Sequence, residues 1–260
     1  MSAISDRIVD DAAAKEIFSS EELALFDREK GPRHIAIMMD GNRRWARLNN
    51  LCPLRGHWEG AEVLTDVVRA AILLGVQTLT VYAFSTENWN RSENEVDSIM
   101  KIFELYLVRK RQLMMNEGIR LDAIGDLSQL PLRVQRALNR TRQATCNNHK
   151  INLVLALNYG GRDEIRRAIG QILVRHDEKK IMPGELTEQF ISQFLDTNQW
   201  GDPDLLIRTS GEMRVSNFLL WQISYSEFYV TDVLWPAFTP RELLRAVLAF
   251  QARQRRLGGE

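Results

Sequence analysis

The sequence predicts an α/β fold: a single domain with a mainly parallel central sheet flanked by helices. Two observations carry this expectation. Short apolar runs with strand character recur at 35–39, 78–84, 119–124, 151–157, 205–207 and 228–230, and the segments between them have helical period and enough length to act as crossovers. Such alternation builds a parallel sheet covered on both faces, with ligands collected at the strand carboxyl ends. A third observation bounds the domain count. A chain of 260 residues could hold two small domains, but no internal repeat, low-complexity segment or Pro/Gly-rich linker divides it.

Composition removes several function classes. Hydrophobic residues make up 45% and charged residues 26% of the chain, which fits a globular enzyme and not a disordered or fibrous protein. The 34 basic and 34 acidic residues cancel, so net charge gives no reason to expect a nucleic-acid partner. Cys52 and Cys146 form no CxxC pair and have no histidine at metal-ligand spacing, so a reducing, cytoplasmic setting is expected. The N-terminus lacks the basic start and apolar core of a signal peptide. No apolar run approaches the roughly 20 residues that span a bilayer, so any membrane contact would be peripheral.

In chain order, residues 1–30 hold eight acids and four bases and read as an N-terminal helical appendage, with a short helix capped by Ser19 or Ser20. Residues 31–260 form the main domain. Its first strand runs into "DGNRRW": Asp40 followed by Gly41, Asn42, Arg43, Arg44 and Trp45 at a helix start. Free N–H groups and guanidinium side chains there suit phosphate, and a carboxylate beside phosphate calls for a shared divalent cation such as Mg²⁺. The competing reading makes Asp40 a helix N-cap followed by solvated arginines.

After the second strand comes "STENWNR". Ser92 and Glu95 then read as a capping box ahead of an apolar face at Val96, Ile99, Met100, Phe103, Tyr106 and Leu107 on a helix over 93–117. Taken alone, Trp89 reads as a core residue. After the fourth strand, "NYGGRDE" reads as a strand-to-helix turn with Asp163 and Glu164 in the first helical turn. After the fifth, "RTSGEMRVS" places Arg208, Ser210, Arg214 and Ser216 around Gly211, suited to a second phosphate cradle. His57 in "RGHWEG" is either a core histidine or a site residue. No GxSxG, Walker lysine, GxGxxG or HExxH string occurs, which removes the commonest hydrolase, nucleotide and zinc-protease readings.

Taken together, "HIAIMMDGNRRWAR", "GHWEGAE", "LTVYAFSTENWNRSENEV", "LALNYGGRDEI" and "PDLLIRTSGEMRVSNFLLWQISYSEFYVTDVLWPAF" resemble the successive signature blocks of the cis-prenyltransferases, from about residue 33 to the C-terminal helix. The resemblance implies a homodimeric enzyme that condenses an allylic diphosphate, usually farnesyl diphosphate, with isopentenyl diphosphate in repeated cis additions. It implies Asp40 at a Mg²⁺ and diphosphate centre, with Gly41, Asn42, Arg43, Arg44, Trp45 and His57 around the allylic substrate. Arg208, Arg214, Val215 and Ser216 would hold isopentenyl diphosphate, and Glu227 would bind the metal across the dimer interface. Asn88 occupies the position assigned to proton acceptance, although an amide is a poor base and suits the orientation of water or diphosphate better. Ser85, Thr86, Glu87, Trp89 and Arg91 would touch substrate on a mobile segment.

A growing chain needs an apolar tunnel, for which the apolar side of the 93–117 helix is a candidate wall. The small Ala83 favours a long product, undecaprenyl diphosphate for a cell-wall lipid carrier being the expectation. A short- or medium-chain synthase and a non-catalytic subunit of the same fold stay open. So does contact with the inner face of a membrane, aided by "QARQRRL" near the C-terminus. Two positions depart from the family pattern. Pro53 stands where an arginine is usual, with Arg55 two residues on, and Ser92 replaces a common proline.

Overall fold

The five buried residues of β1 (His34–Met38) take an interior place in the sheet. Strand β2 (Thr78–Ser85) pairs with one side of β1 and β5 (Leu205–Arg208) with the other, both parallel to it. Beyond β2 lie β4 (Ile151–Tyr159) and then β3 (Ile119–Ile124), while β6 (Glu227–Val230) forms the edge beyond β5. The computed structural model describes residues 17–177 and 182–253. Within them the sheet is parallel throughout, in the order β3-β4-β2-β1-β5-β6.

Burial on both faces explains the unbroken apolar strands. Ile35 and Ile37 of β1 join the larger core cluster, while Ala36 and Met38 join a second cluster with Phe218, Leu219 and Ile223, the alternation that a pleated strand imposes. The helices among the described residues are α1 (Ser20–Ala24), α2 (Asn42–Leu48), α3 (Pro53–Leu73), α4 (Glu93–Arg109), α5 (Arg111–Asn116), α6 (Leu132–Thr145), α7 (Gly161–Asp177), α8 (Glu188–Ser192) and α9 (Pro240–Gln251). Helix α3 starts with Pro53 in its first turn, where a missing N–H costs nothing. It buries Leu64, Val67, Val68 and Ala71, one stripe of helical period.

Two expectations change. The helix expected over 93–117 divides at Lys110, whose ammonium reaches Glu62 at 2.6 Å. The break lets Met114 enter the core while Arg111 donates to Thr141 Oγ1 at 3.0 Å. Ser92 caps α4 only by position, since its hydroxyl makes no capping hydrogen bond and Glu95 turns elsewhere. Near the N-terminus, Ser19 and Glu22 do form the reciprocal cap of α1, at 2.7 and 3.1 Å. The described part of residues 1–30 is seated on the domain, with Phe18 buried in the main core and Glu22 paired with Arg241 of α9 at 3.0 Å. Residues 1–16, and most of "QARQRRL" (254 onward), lie outside the described residues.

The strand order fixes where a site belongs. The chain leaves β1 toward β2 on one side and later returns to β5 on the other. The carboxyl ends of β1 and β5 therefore flank a topological switch point, where connections diverge and leave a crevice. Register sets Tyr82, Met38 and Arg208 in one row at that end of the sheet.

Candidate active site

At the switch point, β1 ends and Asp40 leads into Gly41, whose φ of 101° turns the chain into α2. A side chain at Gly41 would be strained by that φ and would meet Leu234 and Ser210. Gly41, not Asp40, occupies the helix N-cap position, so the helix-cap reading of Asp40 does not hold. The Asp40 carboxylate instead accepts the Gly41 N–H at 2.7 Å through Oδ1 and Arg208 Nη2 at 3.0 Å through Oδ2. Thr209 clamps the turn. Its hydroxyl accepts the Asp40 N–H at 2.9 Å and lies 2.7 Å from the Asp40 carbonyl.

Arg208 closes the apolar strand β5 with a side chain only 6% exposed, against 43% for Asp40. Its Nη1 donates to Ser216 Oγ at 3.0 Å and to the Arg214 carbonyl, while Nε is buried without a partner. A buried guanidinium with an unmet N–H costs free energy unless an anion supplies the acceptor. Asp40, Ser85, Glu87, Asn88, Arg91, Arg208, Arg214 and Ser216 line one polar cavity with Met38, Met39, Tyr82 and Asn217.

A second cavity, apolar and about 130 Å³ in volume, opens between the sheet, α3 and α4. Ala61, Leu64, Ala83, Ile99, Ile102, Phe103, Tyr106 and Leu155 provide its apolar wall, with Asn42, His57, Asn88, Arg91 and Trp235 at its polar end. The two cavities share Met39, Tyr82, Asn88 and Arg91. Ala83 lines the cavity as expected, and within the 93–117 region the lining comes from α4 and not from α5.

Close approach of α2 and α3 shapes the polar end. A Cβ on Gly56 would lie 2.1 Å from the Asn42 carbonyl oxygen, and one on Gly60 would lie 2.3 Å from Asn42 Oδ1. Asn42 Oδ1 and His57 Nε2 are both buried without hydrogen-bond partners. Burial, followed by the charge of Arg91, pushes the His57 pKa down to about 4 against the pull of Glu95, so the ring is neutral at neutral pH. Glu95 organises the neighbouring groups, 3.0 Å from Arg91, 3.8 Å from Arg43 and 3.7 Å from the neutral His57 ring. In the sequence its capping-box pattern with Ser92 conceals this role. Its spacing of four from Arg91 was the available signal.

Asn88 Oδ1 accepts the Ser85 N–H at 3.1 Å, so the group it presents to the cavities is its NH₂ donor. Trp89 is not a core residue. It is 38% exposed, edge-on to Phe84, and its indole donates to Asn158 Oδ1 at 2.8 Å. Gly160 and Gly161 keep their structural reading, with the Gly161 N–H bonded to the Asn217 carbonyl at 2.7 Å. Asn217 also donates to Glu87 at 2.9 Å, a contact across 130 residues that no local pattern signals.

Several expected site residues line neither cavity: Gly41, Arg43, Arg44, Trp45, Thr86, Trp89, Val215 and Glu227. Arg44 donates to the Ser210 carbonyl at 3.0 Å and pairs with Glu212 at 3.2 Å. Val215 packs against the second core cluster. Glu227 begins β6 level with Leu205, three residues before Arg208 and so about 10 Å along the strand from that end. It pairs with Arg253 at 2.6 Å. Arg55 pairs with Glu59 on its own helix at 2.6 Å and lines neither cavity.

Residues 38–258 match the family described as "Putative undecaprenyl diphosphate synthase". The isoprenyl transferase of Prochlorococcus marinus subsp. pastoris is 47% identical over 233 residues, covering 90% of this chain and 86% of that protein. That of Chlamydia trachomatis serovar D is 48% identical over 231 residues, covering 87% and 91%. Lavandulyl diphosphate synthase from Lavandula x intermedia, solved in complex with dimethylallyl diphosphate, superposes with a TM-score of 0.87 at 36% identity, covering 89% of this chain and 100% of that one. A probable undecaprenyl diphosphate synthase from Campylobacter jejuni gives 0.74 at 34% identity, covering 88% and 99%. The family match spans most of the chain and the two isoprenyl transferases share nearly half of its residues, so the chain belongs to the undecaprenyl diphosphate synthase family of prenyltransferases.

Proposed function

We propose that the enzyme adds isopentenyl diphosphate in sequential cis condensations to an allylic diphosphate, farnesyl diphosphate being the expected primer, and releases a long-chain polyprenyl diphosphate. The shared wall of the two cavities carries this reading. One cavity suits a diphosphate and the other an isoprenoid chain. They meet at Met39, Tyr82, Asn88 and Arg91, where the two reacting carbons would come together.

In this reading the allylic C–O bond breaks and diphosphate leaves with its electron pair. The alkene of isopentenyl diphosphate then forms the new C–C bond, and the proton lost from the resulting cation passes to an oxygen of the released diphosphate. Arg208, Arg214 and Ser216 hold the diphosphate of isopentenyl diphosphate, and Arg91 with Asn42 at the start of α2 faces the departing one. The apolar wall from α3 and α4 keeps water from the cation. Neutral His57 donates or accepts one hydrogen bond without adding charge, and the Asn88 NH₂ orients diphosphate or water. With its Oδ1 already engaged by Ser85, Asn88 suits that role better than proton acceptance.

Among the described residues no group of three or more metal-ligating side chains is gathered. A partly exposed carboxylate in a cavity that Glu87 also lines fits Mg²⁺, which takes one or two carboxylates and completes its shell with substrate phosphates and water. Asp40 would hold it, and the ion would supply charge to the leaving diphosphate. Glu227 joins this site only if a second copy brings it. The exposed aromatic edge at Phe228 of β6 and at Tyr225 just before it favours such a homodimer.

Among the described residues no helix is long and apolar enough to cross a membrane, and we place the enzyme in the cytoplasm with peripheral membrane contact. The test is direct. Full-length protein with Mg²⁺, farnesyl diphosphate and labelled isopentenyl diphosphate should give chains of undecaprenyl length on thin-layer analysis. Products that stop after one addition would favour a short-chain synthase, the reading encouraged by the lavandulyl diphosphate synthase likeness. No incorporation by folded protein would overturn the proposal.

A further inference from the structure

One stretch carries chemistry that neither cavity uses. Residues 47–55, from the last turn of α2 through the bend into the first turn of α3, are exposed without interruption. Within them Leu48, Leu51 and Leu54 are 69, 41 and 42% exposed. Asn50 turns the chain with φ 56°. Beside the leucines, Arg43, Arg44 and Arg47 line an open groove with Asn50, Leu51 and Pro53. From Gly41 to Trp58 the sequence holds four arginines and no acidic residue. Glu95, Glu212 and Glu59 meet Arg43, Arg44 and Arg55 from elsewhere, but Arg47 has no acidic partner among the described residues.

A single exposed leucine needs no explanation, whereas three in one bend interleaved with cations do. Apolar side chains able to enter the headgroup boundary, next to guanidinium groups able to meet phosphates, are the requirements of an interfacial anchor. An acidic protein partner would satisfy the arginines but would leave the leucines against polar surface. We propose that the α2–α3 corner docks the enzyme on an anionic lipid bilayer, with Leu48, Leu51 and Leu54 in the headgroup boundary and Arg47 on lipid phosphate. Helix α2 spans seven residues, about 10 Å, so the docked bilayer lies near the mouth of the polar cavity. This names the surface behind the peripheral contact proposed above. It stands or falls without the elongation reading, because vesicle binding needs no substrate.

The experiment floats full-length protein with phosphatidylcholine vesicles, with or without phosphatidylglycerol. Binding is expected only to the anionic vesicles. Arg47→Glu and the combined Leu48→Ser, Leu51→Ser, Leu54→Ser variant should each lower partitioning at least about five-fold, with circular dichroism and elongation in detergent unchanged. Absence of binding to anionic vesicles, or binding that survives both variants, overturns the proposal. So does full release by inorganic phosphate at constant ionic strength, which would assign the groove to a soluble anion. A leucine variant that changes only the sedimentation coefficient of vesicle-free protein would assign the patch to a second copy.

Discussion

Replacing Gly56 by alanine tests whether the seat of α2 on α3 positions the reacting groups. The added Cβ would lie 2.1 Å from the Asn42 carbonyl oxygen and 3.1 Å from Ala46 Cβ, where ordinary contact begins near 3.4 Å. The obstacle is backbone, so α2 must retreat by about 1.3 Å, carrying Asn42, Arg43 and Arg44 with it. Displacements of about 1 Å in positioning groups cost on the order of 100-fold in rate. Stability changes less, because a gain of about 1 kcal/mol in helix propensity offsets part of an overpacking cost of about 1–3 kcal/mol. A fall of a few degrees in Tm is expected. Gly170→Ala is the matched control, since nothing lies within 4 Å of its Cβ. It should raise stability by about 1 kcal/mol and leave turnover alone. The assay is steady-state incorporation of labelled isopentenyl diphosphate beside thermal unfolding. A folded Gly56→Ala enzyme turning over within about three-fold of wild type would refute the reasoning.

Asp40→Asn should keep the Tm within a few degrees and lower elongation by at least about 100-fold, and a near-normal rate at saturating Mg²⁺ would remove Asp40 from the reaction centre. Glu95→Gln should lower kcat/KM about ten-fold, because Arg91 loses a charged partner at 3.0 Å; an unchanged value would reduce Glu95 to a surface acid. Burial holds both His34 and His57 at about 4, below the ordinary 6.5. The unfolded chain therefore binds more protons between these values, so stability is full above about 6.5 and is lost as pH falls toward 4, by up to roughly 3 kcal/mol per histidine. Urea titrations across that window should show a shallower dependence in His57→Gln, and an identical slope would contradict a buried, neutral ring.

How much of this was legible in the sequence depends on how far each signal reaches along the chain. Alternation of apolar runs and helical periods is local, and the six strands lie where the runs lie, within one or two residues. Arg208 announced itself locally too, because an arginine ending a buried strand has few structural excuses. Glu95, by contrast, satisfied a four-residue capping pattern with Ser92, and no local rule ranks that against an ion pair with Arg91. Trp89 looked like core because it is large and apolar, and only Asn158, 69 residues away, shows where its N–H goes. Thr209 offered no signal, since a threonine after a strand is ordinary until the neighbouring turn is known.

The pairing of Asp40 with Arg208 is the sharpest case, for it joins residues 168 apart. Each lies at the end of an apolar strand, and either alone fits a cap or a surface ion pair. What makes them a site is the strand order, which brings β5 beside β1 while the chain goes the other way to β2. That reversal opens the crevice, and the register of Met38 with Arg208 brings guanidinium and carboxylate to the same level. A buried strand that delivers one carboxylate among arginines is electrostatically sensible only there, where Arg208 meets Asp40 and its remaining buried Nε awaits an acceptor that the protein does not provide.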